Sequence, residues 1–182
     1  MSGFAIKQTE DEYKINRNSD DVDVITTDSS GGTSHYAASL VTITATGSLT
    51  QAANAGRVNL LGEVGGDAIV TLTLPAASGT GAVYRFIVSV VNTSSYVIKV
   101  ADATDTIDGQ IVTASIGDTP DLAQPWVTAA TSDTITLNGT TTGGVAIGDQ
   151  LELIDIASNQ WVVNGTTTTS GAEATPFSAT VS

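Results

Sequence analysis

Ala68-Ile69-Val70-Thr71-Leu72-Thr73-Leu74-Pro75 and Val83-Tyr84-Arg85-Phe86-Ile87-Val88-Ser89-Val90-Val91 flank the short segment Ser78-Gly79-Thr80-Gly81. The first run is β-branched and leucine-rich and is stopped by a proline, which cannot donate to a strand ladder. The second is the most hydrophobic run in the chain and reads as a central strand. Glycines between them make a tight connection, and after Asn92-Thr93-Ser94 the chain returns as Tyr96-Val97-Ile98-Lys99-Val100. Strand, turn and strand at this spacing predict an all-β domain.

The same grammar extends in both directions. Upstream, Val41, Ile43 and Ala45 alternate with polar residues in Leu40–Ala45, the period of a half-buried strand. Ser48 or Thr50 is placed to cap one helical turn that Gly56 would end, and Arg57-Val58-Asn59-Leu60-Leu61 reads as a further strand. Downstream, Thr134-Ile135-Thr136-Leu137 runs into Asn138-Gly139. Asp108-Gly109 and Asn164-Gly165 are the same kind of dipeptide, one that tolerates positive φ and signals hairpins. Gln150–Ile156 and Gln160–Val163 flank Ala157-Ser158-Asn159 as a compact hairpin, Thr166–Gly171 is polar, and Pro176-Phe177 is placed to dock the C-terminal end. No exact repeat is visible, which disfavours propellers and solenoids. The expected architecture is an antiparallel β-sandwich or jelly-roll-like domain over residues 34–182.

Residues 1–33 differ. They hold three of the six basic residues, with Glu10-Asp11-Glu12, Asp20-Asp21-Val22-Asp23 and Asp28, and end in Ser29-Ser30-Gly31-Gly32. Apolar residues are sparse, too few for an independent core. The stretch reads as an extended N-terminal arm that orders on a partner, with a reach of up to roughly 110 Å at about 3.3 Å per residue. Val22, Val24 and Ile25-Thr26-Thr27 would add one edge strand. The competing reading is a disordered tail.

Composition narrows the function. Hydrophobic residues make up 41% of the 182, aromatic residues only 5%, and mean hydropathy is +0.15. Nineteen acids against six bases give a formal charge of −13, and no basic residue follows Lys99. Such a surface repels nucleic acid and anionic lipid and keeps crowded copies soluble. A halophilic setting is the plainer explanation of the same acidity. There is no cysteine, hence no disulfide or thiolate metal site. No apolar run is long enough to span a bilayer, and none follows Met1 in the manner of a signal peptide, so the expectation is a product made and folded in the cytoplasm.

Sites for chemistry are few. His35 is the single histidine, and no Gly-x-Ser-x-Gly turn accompanies it, so a serine triad is disfavoured. Carboxylate pairs of the glycosidase type are available, but Trp126 and Trp161 are the only tryptophans to serve as sugar platforms. Asp102, Asp105, Asp108 and Asp118 form a loose acidic group that calcium could use; turn-forming loop acids are the plainer reading. Gly79-Thr80-Gly81 and Gly143-Gly144 lack the Gly-Lys-Ser/Thr of a phosphate loop. Lys99, in a strand beside Asn and Asp turns, is expected as an exposed gatekeeper more than as an isopeptide donor. The reading is of a protein that is not an enzyme and needs no cofactor or metal. Trp161 is expected in the core. Trp126, after Pro125, is expected at an interface, and Phe4, Ile6, Lys7, Tyr13, Lys14, Ile15 and Arg17 as the arm's partner-binding anchors and charges.

One resemblance sharpens this. Leu72-Thr73-Leu74-Pro75-Ala76-Ala77 with Gly79-Thr80-Gly81, Tyr84–Val88, Val97–Val100 leading to Asp105–Gly109, Gly148–Leu153, Gln160–Gly165 and Thr175-Pro176-Phe177 occur in an order that resembles tailed-phage head decoration (capsid cement) proteins. The similarity spans Leu49–Phe177; the residues before Ser34 carry none of it. It implies β domains, often homotrimeric, that sit on the outer surface of an assembled virion capsid and bridge capsomers. The implied partners are the major capsid protein and other copies of the chain, with neither nucleic acid nor membrane. Similar segments occur in tail-fibre proteins, so a receptor- or glycan-binding module of a tail is the alternative. A bacterial adhesin is a third reading, against which the absence of a secretion signal argues.

Overall fold

The strands quoted first serve two different sheets, and that fact organises the fold. The computed structural model describes residues 40–63, 69–91, 93–116 and 123–181, and the backbone of four strands before residue 40. The chain divides into two units, Met1–Ser39 and Leu40–Ser182.

In the first unit, β1 (Phe4–Thr9), β2 (Glu12–Arg17), β3 (Asp23–Thr27) and β4 (Thr33–Ser34) form one antiparallel sheet in the order β1-β2-β3-β4. The segment read as an arm with one added edge strand is therefore paired along much of its length. The expected strand is β3, although Val22 lies outside the described residues. The cause is register. Ile6 pairs with Ile15, and Ile15 with Ile25, so sparse apolar residues fall opposite one another, where cross-strand pairs stabilise a sheet. The unit also runs to Ser39, where composition draws its boundary after residue 33.

The second unit contains β5 (Leu40–Ile43), β6 (Gly47–Ser48), the single helical turn α1 (Gln51–Asn54), β7 (Val58–Leu61), β8 (Val70–Thr73), β9 (Val83–Val88) and β10 (Tyr96–Lys99). After these come β11 (Thr106–Ser115), β12 (Ala123–Val127), β13 (Thr134–Leu137), β14 (Gln150–Ala157), β15 (Gln160–Thr169) and β16 (Phe177–Ser178). They build a five-stranded sheet, β16-β13-β10-β8-β6, and a seven-stranded sheet, β12-β11-β15-β14-β9-β7-β5. The domain is an all-β sandwich, as expected.

Its pairing is mixed, which corrects the antiparallel expectation. From β5 to β10 each strand lies in the opposite sheet from its predecessor. Sheet neighbours are then separated by a full circuit and run parallel: β5 with β7, β7 with β9, β6 with β8, and β8 with β10. Pro75 and the Thr93-Ser94 segment thus lie in connections that cross between sheets, whereas hairpins within a sheet would have given antiparallel neighbours. Antiparallel pairing joins β9 to β14, β14 to β15, β10 to β13, β11 to β12 and β13 to β16, and β11 runs parallel to β15.

Two of the three hairpin dipeptides do not turn the chain. Gly109 lies inside β11 and Gly165 inside β15. A Cβ on Gly109 would sit 2.0 Å from the Val163 carbonyl oxygen, and one on Gly165 would sit 2.5 Å from Leu151 Cδ2. Both glycines admit a close neighbour, the other use of glycine within a strand. Asn138 does turn: its Oδ1 accepts from the amides of Thr140 and Thr142. The β14–β15 hairpin falls where expected, with Asn159 at φ 63°. Thr50 caps α1 by accepting from the Ala53 amide.

Between the sheets, alternate residues of each strand form one core, with Leu72 and Ile98 from the small sheet meeting Phe86, Leu153 and Trp161 from the large one. Trp161 is buried as expected, its ring edge-on to Tyr84 at 5.5 Å and 74°. Phe177 docks into the same core through β16.

Candidate functional site

Part of the chain's acidity is structural. Asp105, Asp133, Asp149 and Asp155 are buried, and each holds a loop by its backbone amides. Asp149 Oδ2 accepts from Gly144 and Thr168, both at 2.9 Å. Asp133 accepts from the amides of Thr180 and Val181 and from Thr134 Oγ1, which fastens the C-terminal segment. Asp155, on β14, accepts from the amides of Ser78, Gly79 and Thr80 and from Thr80 Oγ1. Burial opposes ionisation of Asp155, but these four donors outweigh it and hold its pKa below the usual carboxylate value. Asp105 differs. Its Oδ2 accepts from Ala77, while its Oδ1 is buried with no hydrogen-bond partner among the described residues. Burial pushes its pKa up, the Ala77 amide pulls against that, and the charges of Asp102 and Asp155 add to the rise.

The expected acidic group is thereby dispersed. Asp102 is exposed and bonded to Thr104, whose hydroxyl and then amide lower its pKa. Asp108 accepts from Gln160 Nε2 at 2.8 Å, and Asp118 lies outside the described residues. Among the described residues no group of three or more His, Cys, Asp or Glu side chains is arranged to hold a metal ion. His35 also lies outside them. No described helix is long and apolar enough to cross a membrane.

What the second unit does offer is a face. Strand alternation sends Tyr84, Phe86 and Val88 of β9 inward, leaving Val83, Arg85 and Ile87 outward. The same alternation turns Val58 and Leu60 of β7, Ile154 of β14, Val162 of β15 and Val112 of β11 away from the core, each partly exposed. Register aligns these residues into rows across the seven-stranded sheet. One row runs Leu40–Val58–Arg85–Glu152 and continues through Asn164 and Gln110 to Val127. Leu40 at one edge is 66% exposed and Val127 at the other 70%. Near the middle, Arg85 Nη2 meets Glu152 Oε2 at 2.7 Å. Around that pair lies a shallow groove of about 520 Å³, lined also by Val58, Ile87, Gln150 and Asn164.

The residues expected to contact partners distribute unevenly. Phe4, Ile6 and Lys7 are in β1, and Tyr13, Lys14, Ile15 and Arg17 in β2, paired Phe4 to Arg17, Ile6 to Ile15 and Lys7 to Lys14. Trp126, expected at an interface, lies in the edge strand β12 and is half-buried against the core opposite Ile111. The other four residues of β12, Ala123, Gln124, Pro125 and Val127, are exposed. The outward apolar residues escape a sequence reading, because choosing the outer face of a strand requires knowing which sheet it joins. The chain matches no protein-family model, and a search of curated proteins finds no similar sequence.

Proposed function

We propose that the protein is a structural component of a tailed-phage virion that attaches in many copies to the outer surface of an assembled head and bridges capsomers. The observation that carries this reading is that the segments resembling decoration proteins fall on seven of the twelve strands of the sandwich, drawn from both sheets: β8, β9, β10, the start of β11, β14, the start of β15 and β16. The buried acids support it from another side, because each is engaged in holding a loop. A cement protein works by adding weak contacts to several subunits at once, and linked copies, three as the resemblance implies, convert modest affinity into firm capture. The net charge of −13 disfavours nucleic acid and membrane as partners and favours protein. Lys7, Lys14 and Arg17 are the bases of the first unit, set among seven acids, and are the groups in it that suit acids on a shell.

The groove around Arg85 and Glu152 favours a second reading, a receptor- or glycan-binding module of a tail, since amide and charged side chains beside apolar ones in a shallow groove suit sugar hydroxyls and ring faces. One experiment separates the two. Purified protein mixed with expanded empty heads co-sediments at saturating stoichiometry if it is cement, and deletion of residues 1–33 abolishes that binding while the second unit stays folded. Binding to host cells with none to heads supports the tail reading, and unchanged affinity of the truncated chain refutes the role given to the first unit.

A further inference from the structure

The two sheets differ in how much apolar surface they turn outward. On the five-stranded sheet the outward positions are Ser48, Thr71, Thr73, Val97, Lys99, Thr134, Thr136 and Ser178, with Val97 the one large apolar residue among them. On the seven-stranded sheet, adjacent strands present Leu60, Ile87, Val112, Ile154 and Val162. Strands buried on one face alone normally alternate apolar inside with polar outside, as the small sheet does. The large sheet departs from that pattern on β7, β9 and β12 and in part on β14, while β15 and β11 each set one valine among polar outward residues.

Its charge is equally distinctive. Residues 40–182 carry twelve acids against three bases. Yet the charged groups among the outward positions of these strands are Arg85 and Glu152, which pair with each other, and Asp108, which is bonded to Gln160. From these observations we propose that the outer face of the seven-stranded sheet is the surface through which copies of this chain pack on one another. A strongly acidic chain repels its own copies everywhere except where its surface is nearly neutral. A basic partner would instead be drawn to the acidic remainder. An Arg–Glu pair at the middle of the face is also self-complementary, because the same two groups answer each other between like copies. Seven strands spaced about 4.8 Å apart span roughly 29 Å, and strands of four to ten residues run about 13–33 Å. That area is on the scale of the ~800 Å² per partner that a stable interface uses. The inference deepens the self-association included in the proposed function, but its test requires no heads, so failure to bind capsids leaves it standing.

The full-length chain is sized by light scattering after gel filtration over a range of concentrations. The wild type is expected at a small multiple of its 18.4 kDa mass. Ile87→Glu and Val162→Glu are expected to reduce it to monomer while circular dichroism stays native, and Val97→Glu on the other sheet to leave the assembly intact. Because a face variant can fail to fold, single cysteines are placed in this cysteine-free chain at exposed Asn164 and, on the small sheet, at Thr71. Alkylation at Asn164→Cys is expected to be the slower in concentrated samples and to recover on dilution. A wild type that stays monomeric overturns the proposal. So do a folded Ile87→Glu or Val162→Glu variant of wild-type mass, loss of assembly in Val97→Glu, and alkylation at Asn164→Cys that does not change with concentration.

Discussion

Thr80 grips Asp155 twice: its hydroxyl reaches the carboxylate Oδ2 at 2.7 Å and its amide reaches the same oxygen at 3.0 Å. With Ser78 and Gly79 on Oδ1, the connection from β8 to β9 is wrapped around a single side chain of β14. Asp155→Ala removes the acceptor from three amides at once, and hydrogen bonds to a charged group contribute roughly 1.5–3 kcal/mol each way they are measured. A loss of about 3 kcal/mol in urea unfolding is expected. The pH dependence has a definite sign. The folded-state pKa is depressed, so the stabilisation is complete above the ordinary aspartate value near ~3.9 and fades as pH falls through the folded-state pKa. The stability gap between wild type and Asp155→Asn should therefore be widest at neutral pH and close in acid; a gap independent of pH defeats the assignment.

Asp105 predicts the opposite slope. Its pKa is raised by burial, so its neutral form suits the fold, and that contribution is present below the ordinary value and lost as pH rises through the folded-state pKa. Asp105→Asn keeps an oxygen for the Ala77 amide and carries no charge. The variant should match or exceed wild-type stability at pH 7, and its advantage should disappear in acid. Chemical denaturation at several pH values measures both.

Gly109 and Gly171 share a positive φ but not a neighbourhood. Gly109, at φ 128°, faces the Val163 carbonyl at a distance no Cβ tolerates, whereas nothing lies within 4 Å of a Cβ on Gly171. Gly171→Ala should cost about 1 kcal/mol, the left-handed penalty alone. Gly109→Ala must in addition push β11 away from β15 and should cost on the order of 3 kcal/mol or more. Thermal unfolding of the two variants side by side tests the difference.

Period-two alternation made the strands of the second unit legible, because burial on one face writes itself into the sequence. The core position of Trp161 was legible from its strand, the docking of Phe177 from Pro176-Phe177, and the turns at Asn138 and Asn159 from their loop residues. Sheet membership was not written there. Pro75 ends a strand equally well whether the chain folds back beside it or crosses to the other sheet, so the parallel circuits of β5–β10 stayed hidden. Asp108-Gly109 and Asn164-Gly165 misled for a related reason. Glycine at a turn and glycine under a neighbouring carbonyl look alike until the neighbour is known. In the first unit, a count of apolar residues missed their alignment, and pairing depends on alignment. The outward rows of the large sheet were invisible on the same ground, since an apolar residue in a strand reads as core until its face is assigned.

The register of β1 and β2 sets Lys7 directly opposite Lys14. Like charges opposite each other in a ladder are unfavourable, and an opposite pair there contributes roughly 0.2–1 kcal/mol. A sheet that carries such a pair gives up stability unless something acidic answers it. Lys7→Glu should therefore act in two directions at once. It should slow hydrogen exchange of the β1 and β2 amides, by supplying Lys14 with a partner of opposite sign. It should also weaken attachment to heads, where the proposed function gives these lysines an acidic counterpart. The weakening should be largest at low ionic strength, because the Debye length that limits charge–charge attraction is about 10 Å at 0.1 M salt and shortens as salt rises. Sedimentation with heads across a salt series, alongside exchange measurements on the free protein, reads both effects. A variant with better-protected amides and undiminished binding would remove these residues from the contact surface.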